Sequence, residues 1–343
     1  MDINWKRVRM SVIERLCAKS HIFSNAERKC LVSLSLAMVL LFLLTHSSDK
    51  DGVVSDHRNS HFRILKRDEI SIGTIVRGDE WKNADSDKKK AVSRSLLSLS
   101  RWFGDENVVI LADKAEACDT LPDYLSSARC GGLEHCMYAT YGKPTMDCIF
   151  STLWRLAKGE IVGFINADIL VFESFVKSIV FCASNYDEFV MVGRRHLSEI
   201  PMPIPTSVSG LIELEARSKS LPLDGGAAID YFVTRRSAFS TLKDFPPFIV
   251  GVYRWDNFLL MKFYKEETIV VIDATKVAPV VHQVFNDVED HESRPAAGYN
   301  NMLASNNSDG EYVCGTIDNA NVVLLTATQG SYKQINVNAN YTC

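Results

Sequence analysis

The sequence predicts an α/β domain, doubly wound around a mostly parallel sheet, preceded by one N-terminal transmembrane helix. Three observations predict it. Short apolar runs alternate with segments of helical periodicity, an uncharged apolar stretch follows a basic N-terminus, and carboxylates and amides recur where the apolar runs end.

The N-terminal elements come first. Residues 30–48 carry no formal charge, and at about 1.5 Å per residue they would reach roughly 28 Å as a helix, close to the thickness of a thin bilayer. Lys6, Arg7, Arg9, Arg15, Lys19, Arg28 and Lys29 precede it against Asp2, Glu14 and Glu27, whereas Asp49, Lys50, Asp51 and Asp56 follow. The positive-inside rule then gives a cytosolic tail (1–29), a signal-anchor (30–48) and a polar stem (49–67), with the rest in the lumen of the ER or Golgi as a single-pass type II protein. A cleavable signal peptide is the competing reading, but the basic region is long for one and no small-residue cleavage site follows Leu44. The sequons at Asn306 and Asn340 agree with a lumenal address. So do Cys118, Cys130, Cys136, Cys148, Cys182, Cys314 and Cys343, which lie where disulfides persist. The first four cluster closely enough to staple a loop-rich insertion; zinc is the weaker reading because no Cys-x-x-Cys pair is present.

From 68 to 286 the pattern is that of one catalytic-size domain. Ile70–Val76 reads as a strand, Lys88–Trp102 as an amphipathic helix, Val108–Asp113 as a strand and Thr145–Ala157 as a helix. The apolar stretch Gly159–Phe172 follows, then strands at Phe189–Gly193, Ile229–Val233 and Thr268–Asp273. Strands separated by helices imply βαβ units with both sheet faces covered. Residues 287–343 are rich in Asn, Asp, Gly and Ser and read as an irregular extension.

Composition excludes several functions. With 38 basic against 42 acidic residues and no basic block, nucleic acid is not an expected partner. No Gly-x-Gly-x-x-Gly follows the first strand and no P-loop occurs, which removes nicotinamide and P-loop chemistry. Arg77-Gly78-Asp79 spells an adhesion tripeptide but is better read as the turn after the first strand.

The chemistry-bearing positions fall at apolar-run ends. Asn166 and Asp168 interrupt Gly159–Phe172 on one face of an extended chain, where a parallel sheet opens its ligand crevice. A carboxylate there either holds a cation or caps a turn. Asp113 closes the second strand. Gly225 and Gly226 precede a strand, as a turn or as a place where a ligand approaches the backbone. Asp256 falls in the first turn of a helix, as an N-cap-type carboxylate or one aimed into a cleft. His282 ends another apolar run. A hard divalent cation, Mn2+ or Mg2+, accepts oxygen ligands with one imidazole and bridges protein carboxylates to a diphosphate, and Asp168 with His282 would supply the two protein ligands.

Six short motifs then carry a resemblance: Tyr141-Gly142-Lys143-Pro144-Thr145-Met146-Asp147-Cys148-Ile149-Phe150, Asn166-Ala167-Asp168-Ile169, Val192-Gly193-Arg194-Arg195, Gly225-Gly226-Ala227-Ala228-Ile229-Asp230-Tyr231-Phe232, Arg254-Trp255-Asp256-Asn257 and Val281-His282-Gln283. In this order the chain resembles GT-A-fold, nucleotide-sugar-dependent glycosyltransferases, specifically a subgroup with Asn-Ala-Asp-Ile, Gly-Gly-x-x-x-Asp-Tyr-Phe and Gly-Trp-Asp-Asn motifs. The resemblance implies transfer of a sugar from a nucleoside diphosphate to a hydroxyl of a glycan, glycoprotein or glycolipid. By it Asp168 and His282 hold the metal. If the transfer inverts, Asp256, or failing it Asp230, takes the acceptor proton; retention needs no such base there, and the sequence leaves both courses open. Arg77, Asp113, Asn166, Arg194 and Arg195 meet the donor, and Gly225, Gly226, Tyr231 and Trp255 meet the acceptor. Asn166 stands where the family has the first Asp of its metal motif, Lys143 where it has Thr, and Arg254 where it has Gly. The first two keep a second reading open, a membrane-tethered binding protein of the same fold without turnover.

Overall fold

The structure, a computed structural model, describes residues 67–77, 86–199, 202–242, 244–283, 295–327 and 331–337. The expected tail and membrane segment, with the stem up to residue 66, lie outside the described residues. Among the described residues no helix is long and apolar enough to cross a membrane.

The strands are β1 (Ile70–Val76), β2 (Val108–Ala112), β3 (Arg129–Gly132), β4 (Met137–Tyr138), β5 (Lys143–Pro144), β6 (Ile161–Ile165), β7 (Ile169–Leu170), β8 (Phe189–Val192), β9 (His196–Ser198), β10 (Tyr231–Arg235), β11 (Val270–Asp273), β12 (Val281–Gln283), β13 (Val322–Thr326) and β14 (Tyr332–Asn336). The helices are α1 (Asp87–Phe103), α2 (Met146–Leu156), α3 (Glu173–Asn185), α4 (Val208–Ser218), α5 (Trp255–Lys265) and α6 (Ala296–Ser308). The central sheet runs β14-β13-β11-β8-β10-β6-β1-β2-β3, parallel except for β10 and β14.

Alternation along the strands explains the two-sided cover. Ile70, Ile72, Val108, Ile110, Ile161, Ile165, Phe189 and Met191 turn to one face with Leu96 and Leu99 of α1 and Phe175 and Ile179 of α3. Val109, Leu111, Val162, Phe164, Val190 and Val192 turn to the other with Ile149 and Leu153 of α2 and Phe258 and Leu259 of α5. Period-two side chains that are apolar on both faces require helices on both sides, as the sequence predicts. The predicted helix at Lys88–Trp102 extends one residue further at each end: Ser86 caps it by accepting from Lys89 N, and Gly104 stops it at φ 84°.

Two expectations change. The stretch Gly159–Phe172 is not one strand. After β6 the chain leaves the large sheet at Asn166, and β7 joins a separate three-stranded sheet, β7-β12-β9. The described residues of the C-terminal extension are also more regular than expected, since α6 packs by Ala296, Ala297, Asn300 and Ala304, and β13 and β14 extend the main sheet beyond β11. α6 is stabilised by packing rather than by periodicity, which its Asn- and Ser-rich sequence lacks.

Disulfides join Cys118 to Cys130 and Cys136 to Cys148; Cys314 is disulfide-bonded as well, and Cys182 is buried and free. His135 lies close to Cys136 and Cys148, but their sulfurs are bonded to each other and offer no thiolate to a metal.

Candidate active site

The turn that ejects the chain from β6 carries Asp168, and the pairing of His282 with Ile169 across β12 and β7 brings the imidazole to it. His282 Nε2 lies 3.2 Å from Asp168 Oδ2. Burial alone would raise the Asp168 pKa, but the charge and hydrogen bond of His282 outweigh it and the net shift is downward. Burial likewise works against the His282 cation, and Asp168 reverses that, so its pKa is raised. The pair is incomplete on its outer side. Asp168 Oδ1 and His282 Nδ1 are both buried and have no hydrogen-bond partner among the described residues.

Buried polar atoms left in this state cost stability unless something meets them. The two open atoms, a carboxylate oxygen and an imidazole nitrogen, are donors of the kind a hard divalent cation such as Mn2+ accepts. Asn166 is oriented otherwise. Its Nδ2 donates to Asp230 Oδ1 at 2.7 Å, while its backbone N–H donates to the Asp230 carbonyl at 2.9 Å. The amide anchors the neighbouring carboxylate by its nitrogen.

Asp230, just ahead of β10, is 3% exposed. Arg195 meets it through Nη1, 2.8 and 2.9 Å from its two oxygens, and through Nε holds Asp224 at 2.8 Å. Burial disfavours the guanidinium charge, yet these carboxylates raise its pKa on balance. Asp224 in turn accepts from Gly225 N, shaping the start of the glycine loop. Arg194, beside it, donates its N–H to Thr275 Oγ1 and pairs by its guanidinium with Asp318, far along the chain. A Cβ on Gly226 would fall 2.4 Å from the Asp318 carboxylate.

Asp256 opens α5. Its Oδ1 accepts from Asn257 N at 2.9 Å. Burial pushes its pKa up; the Asn257 bond opposes this, and the charge of Asp230 adds to it, leaving the carboxyl at about 7. Asn257 fixes the helix start by donating from Nδ2 to the carbonyls of Ala227 and Gly315 at 3.1 and 2.9 Å. Glycine loop, helix and C-terminal segment meet at that one amide.

The remaining predicted positions divide. Arg77 and Asp113 stand side by side at the ends of β1 and β2, where Asp113 N donates to the Val76 carbonyl at 3.2 Å. Gly225 is exposed with open space where a Cβ would be. Tyr231 and Trp255, expected at the acceptor, are core residues. Tyr231 is fully buried edge-on to Phe175, and Trp255 packs against Phe150, Phe164 and Phe232. Their burial puts them behind the site's surface. Asp230 likewise differs from its expected role as an alternative base, since its oxygens are already held by Arg195 and Asn166. Interactions link Asn166, Asp168, His282, Arg195, Asp230 and Asp256 into one cluster. Sequence reading placed Asn257 in the first helical turn without its clamp on Ala227 and Gly315, and it missed Asp318, because an amide clamp and a long-range ion pair have no local pattern.

No protein-family model matches the chain, and no curated protein matches it. Solved structures do. S. aureus TarS 1–349 in complex with UDP-GlcNAc is 14% identical at a TM-score of 0.41, over 66% of this chain and 60% of that one. GalNAc-T7 with UDP, GalNAc and Mn2+ is 11% identical at 0.43, over 71% and 49%. A mycobacterial protein is 14% identical at 0.37, over 82% and 89%. This chain therefore spans about half to three-fifths of the two UDP-bearing structures, and likeness at such scores places no residue of the site.

Proposed function

We propose that the chain is a glycosyltransferase that moves a sugar from a nucleoside diphosphate to an acceptor hydroxyl. The observation that carries this reading is the Asp168–His282 pair with its two unpartnered buried atoms, set in the same cluster as an Asp256 whose pKa lies near 7. A divalent cation held by Asp168 and His282 would supply Lewis-acid stabilisation of the diphosphate leaving group.

The chain's own residues have definite tasks in this reading. Asp256 accepts the proton of the attacking hydroxyl through its carboxylate, which a pKa near the working pH suits. The new bond joins that oxygen to the anomeric carbon, the bond from the anomeric carbon to the phosphate oxygen breaks, and nucleoside diphosphate departs, with inversion. Arg195 holds Asp230 in place by its ion pair, and the Asp230 charge raises the basicity of Asp256. Arg194, partly exposed at the same strand end, lies where it can exchange Asp318 for a donor phosphate. Arg77 and Asp113 are suited to the nucleoside at the neighbouring strand ends. The uncharged stretch at 30–48 supports placing the reaction in the ER or Golgi lumen.

The test is a screen of nucleoside diphosphate sugars against the detergent-solubilised full chain, with Mn2+ or with EDTA, read as released nucleoside diphosphate. Cation-dependent release is expected for one donor. Saturable nucleotide binding without release from any donor would instead identify a binding protein of this fold.

A further inference from the structure

Arg254 stands two residues ahead of Asp256 with φ at 86°, in the left-handed region. Side chains are disfavoured there, whereas glycine holds such a backbone freely. The only other described non-glycine residue with positive φ is Asp309, which ends α6, where a short polar residue is tolerated. An arginine persisting at such a backbone position points to work done by its guanidinium.

That guanidinium is held but not neutralised. Nε donates to Asn301 Oδ1 at 2.7 Å, and Cζ lies 5.4 Å from the Tyr312 ring centroid and 5.8 Å from that of Tyr253. These contacts fix its plane and leave the Nη1 and Nη2 hydrogens without a partner among the described residues. Arg194, Arg195 and Arg235 by contrast each meet a carboxylate. The loop beneath is clamped, because buried Asn300 bonds Ile249 N, Ile249 O and Tyr253 O at 2.8, 3.0 and 3.0 Å.

A rigid fork of N–H donors flanked by aromatic rings fits the two oxygens of a carboxylate or sulfate. In the transferase reading, on which this inference rests, the acceptor's hydroxyl must reach Asp256, and Arg254 stands two residues before it at the start of the same helix. We infer that Arg254 binds an oxyanion carried by the acceptor sugar and selects acidic acceptors, uronates and sulfated sugars, over neutral ones.

The experiment uses saturation-transfer NMR on the full chain in detergent with Mn2+ and two probes that differ only at C6, p-nitrophenyl β-glucuronide and p-nitrophenyl β-glucoside. The glucuronide is expected to bind about tenfold more tightly, the range of one charge-assisted pair. Arg254→Gly keeps the backbone conformation, so its melting temperature should stay near that of the native chain while the preference disappears; Arg254→Lys should keep part of it. Equal binding of the two sugars, or a preference that survives Arg254→Gly, overturns the inference. Added inorganic pyrophosphate should leave the glucuronide signal in place; displacement would assign the guanidinium to donor phosphates and also overturn it. No turnover is needed for this readout, so failure of the donor screen would count against the transferase reading without deciding the role of Arg254.

Discussion

His282 and Asp168 touch at 3.2 Å because an antiparallel pairing of two very short strands, β12 and β7, lies outside the main sheet. One buried atom on each side chain is left open. Removing either residue deletes one of the two proposed ligands while its partner stays buried. Asp168→Ala and His282→Ala are each expected to lower sugar-transfer turnover about 100-fold or more. Both should also abolish any rise in melting temperature that Mn2+ gives the native chain. A variant that keeps the Mn2+ response would remove that residue from the metal site, whatever its turnover.

Arg195 and Asp230 form an ion pair that is nearly inaccessible on the Asp230 side, with side-chain exposures of 23% and 4%. Arg195→Ala strands the Asp230 carboxylate and is expected to cost about 3 kcal/mol in denaturant unfolding, less whatever relaxation and water entry recover. The double change Arg195→Met with Asp230→Leu should recover most of that stability, since an apolar pair can replace a buried ionic one. It should not recover turnover, because Asp256 would lose the charge that raises its pKa. Full activity in the double variant would reduce the pair to a scaffold.

Much of this cluster is legible in the sequence, for a physical reason. Asp168 and Asn166 sit in an apolar run where a charge is expensive, so their places are conspicuous, and strict alternation in β1, β2, β6 and β8 gives the two-faced sheet. What was not legible depends on partners far away along the chain. Asp230 looks like a free acid until Arg195 and Asn166 are seen holding it. Tyr231 and Trp255 look available to a sugar, since an aromatic beside a polar motif reads the same whether it lines the cleft or props it from behind. The strand β14, with its polar Tyr332–Asn336 sequence, forms because β13 offers an edge, and no local propensity announces that. The Asp318 pairing with Arg194 shows the same limit.

Gly315 backs onto α5 so closely that a Cβ there would fall 1.8 Å from the Asn257 carbonyl oxygen. Backbone cannot swing aside as a side-chain tip can. Gly315→Ala should therefore destabilise the chain by about 2–3 kcal/mol and, by displacing Asn257, lower turnover as well. Gly226→Ala meets only the Asp318 carboxylate, on a side chain 57% exposed, so it should be nearly neutral in stability. Equal melting temperatures for the two alanine variants would contradict this distinction between backbone and side-chain obstruction.

Asp256 links activity and stability to pH in opposite directions. Its carboxyl moves from the ordinary 3.8 to about 7 in the folded chain, chiefly by burial, with Asp230 adding to the rise. In the proposed role of base it works ionised, so kcat/KM should climb about tenfold per pH unit below about 7 and level off above it. For stability, both states hold the proton below about pH 4. Between about 4 and 7 the unfolded chain has released it and the folded chain has not, so this group's contribution to stability falls as the pH rises, and above about 7 the penalty is constant. Asp256→Asn keeps an oxygen for the Asn257 N–H and cannot ionise. It should melt higher than the native chain at about pH 8, by an amount worth up to a few kcal/mol, with the gap closing by about pH 4, and its turnover should be lost at every pH. If the native chain and the Asp256→Asn variant melt together at the higher pH, the raised pKa is wrong; if turnover survives, another group takes the proton.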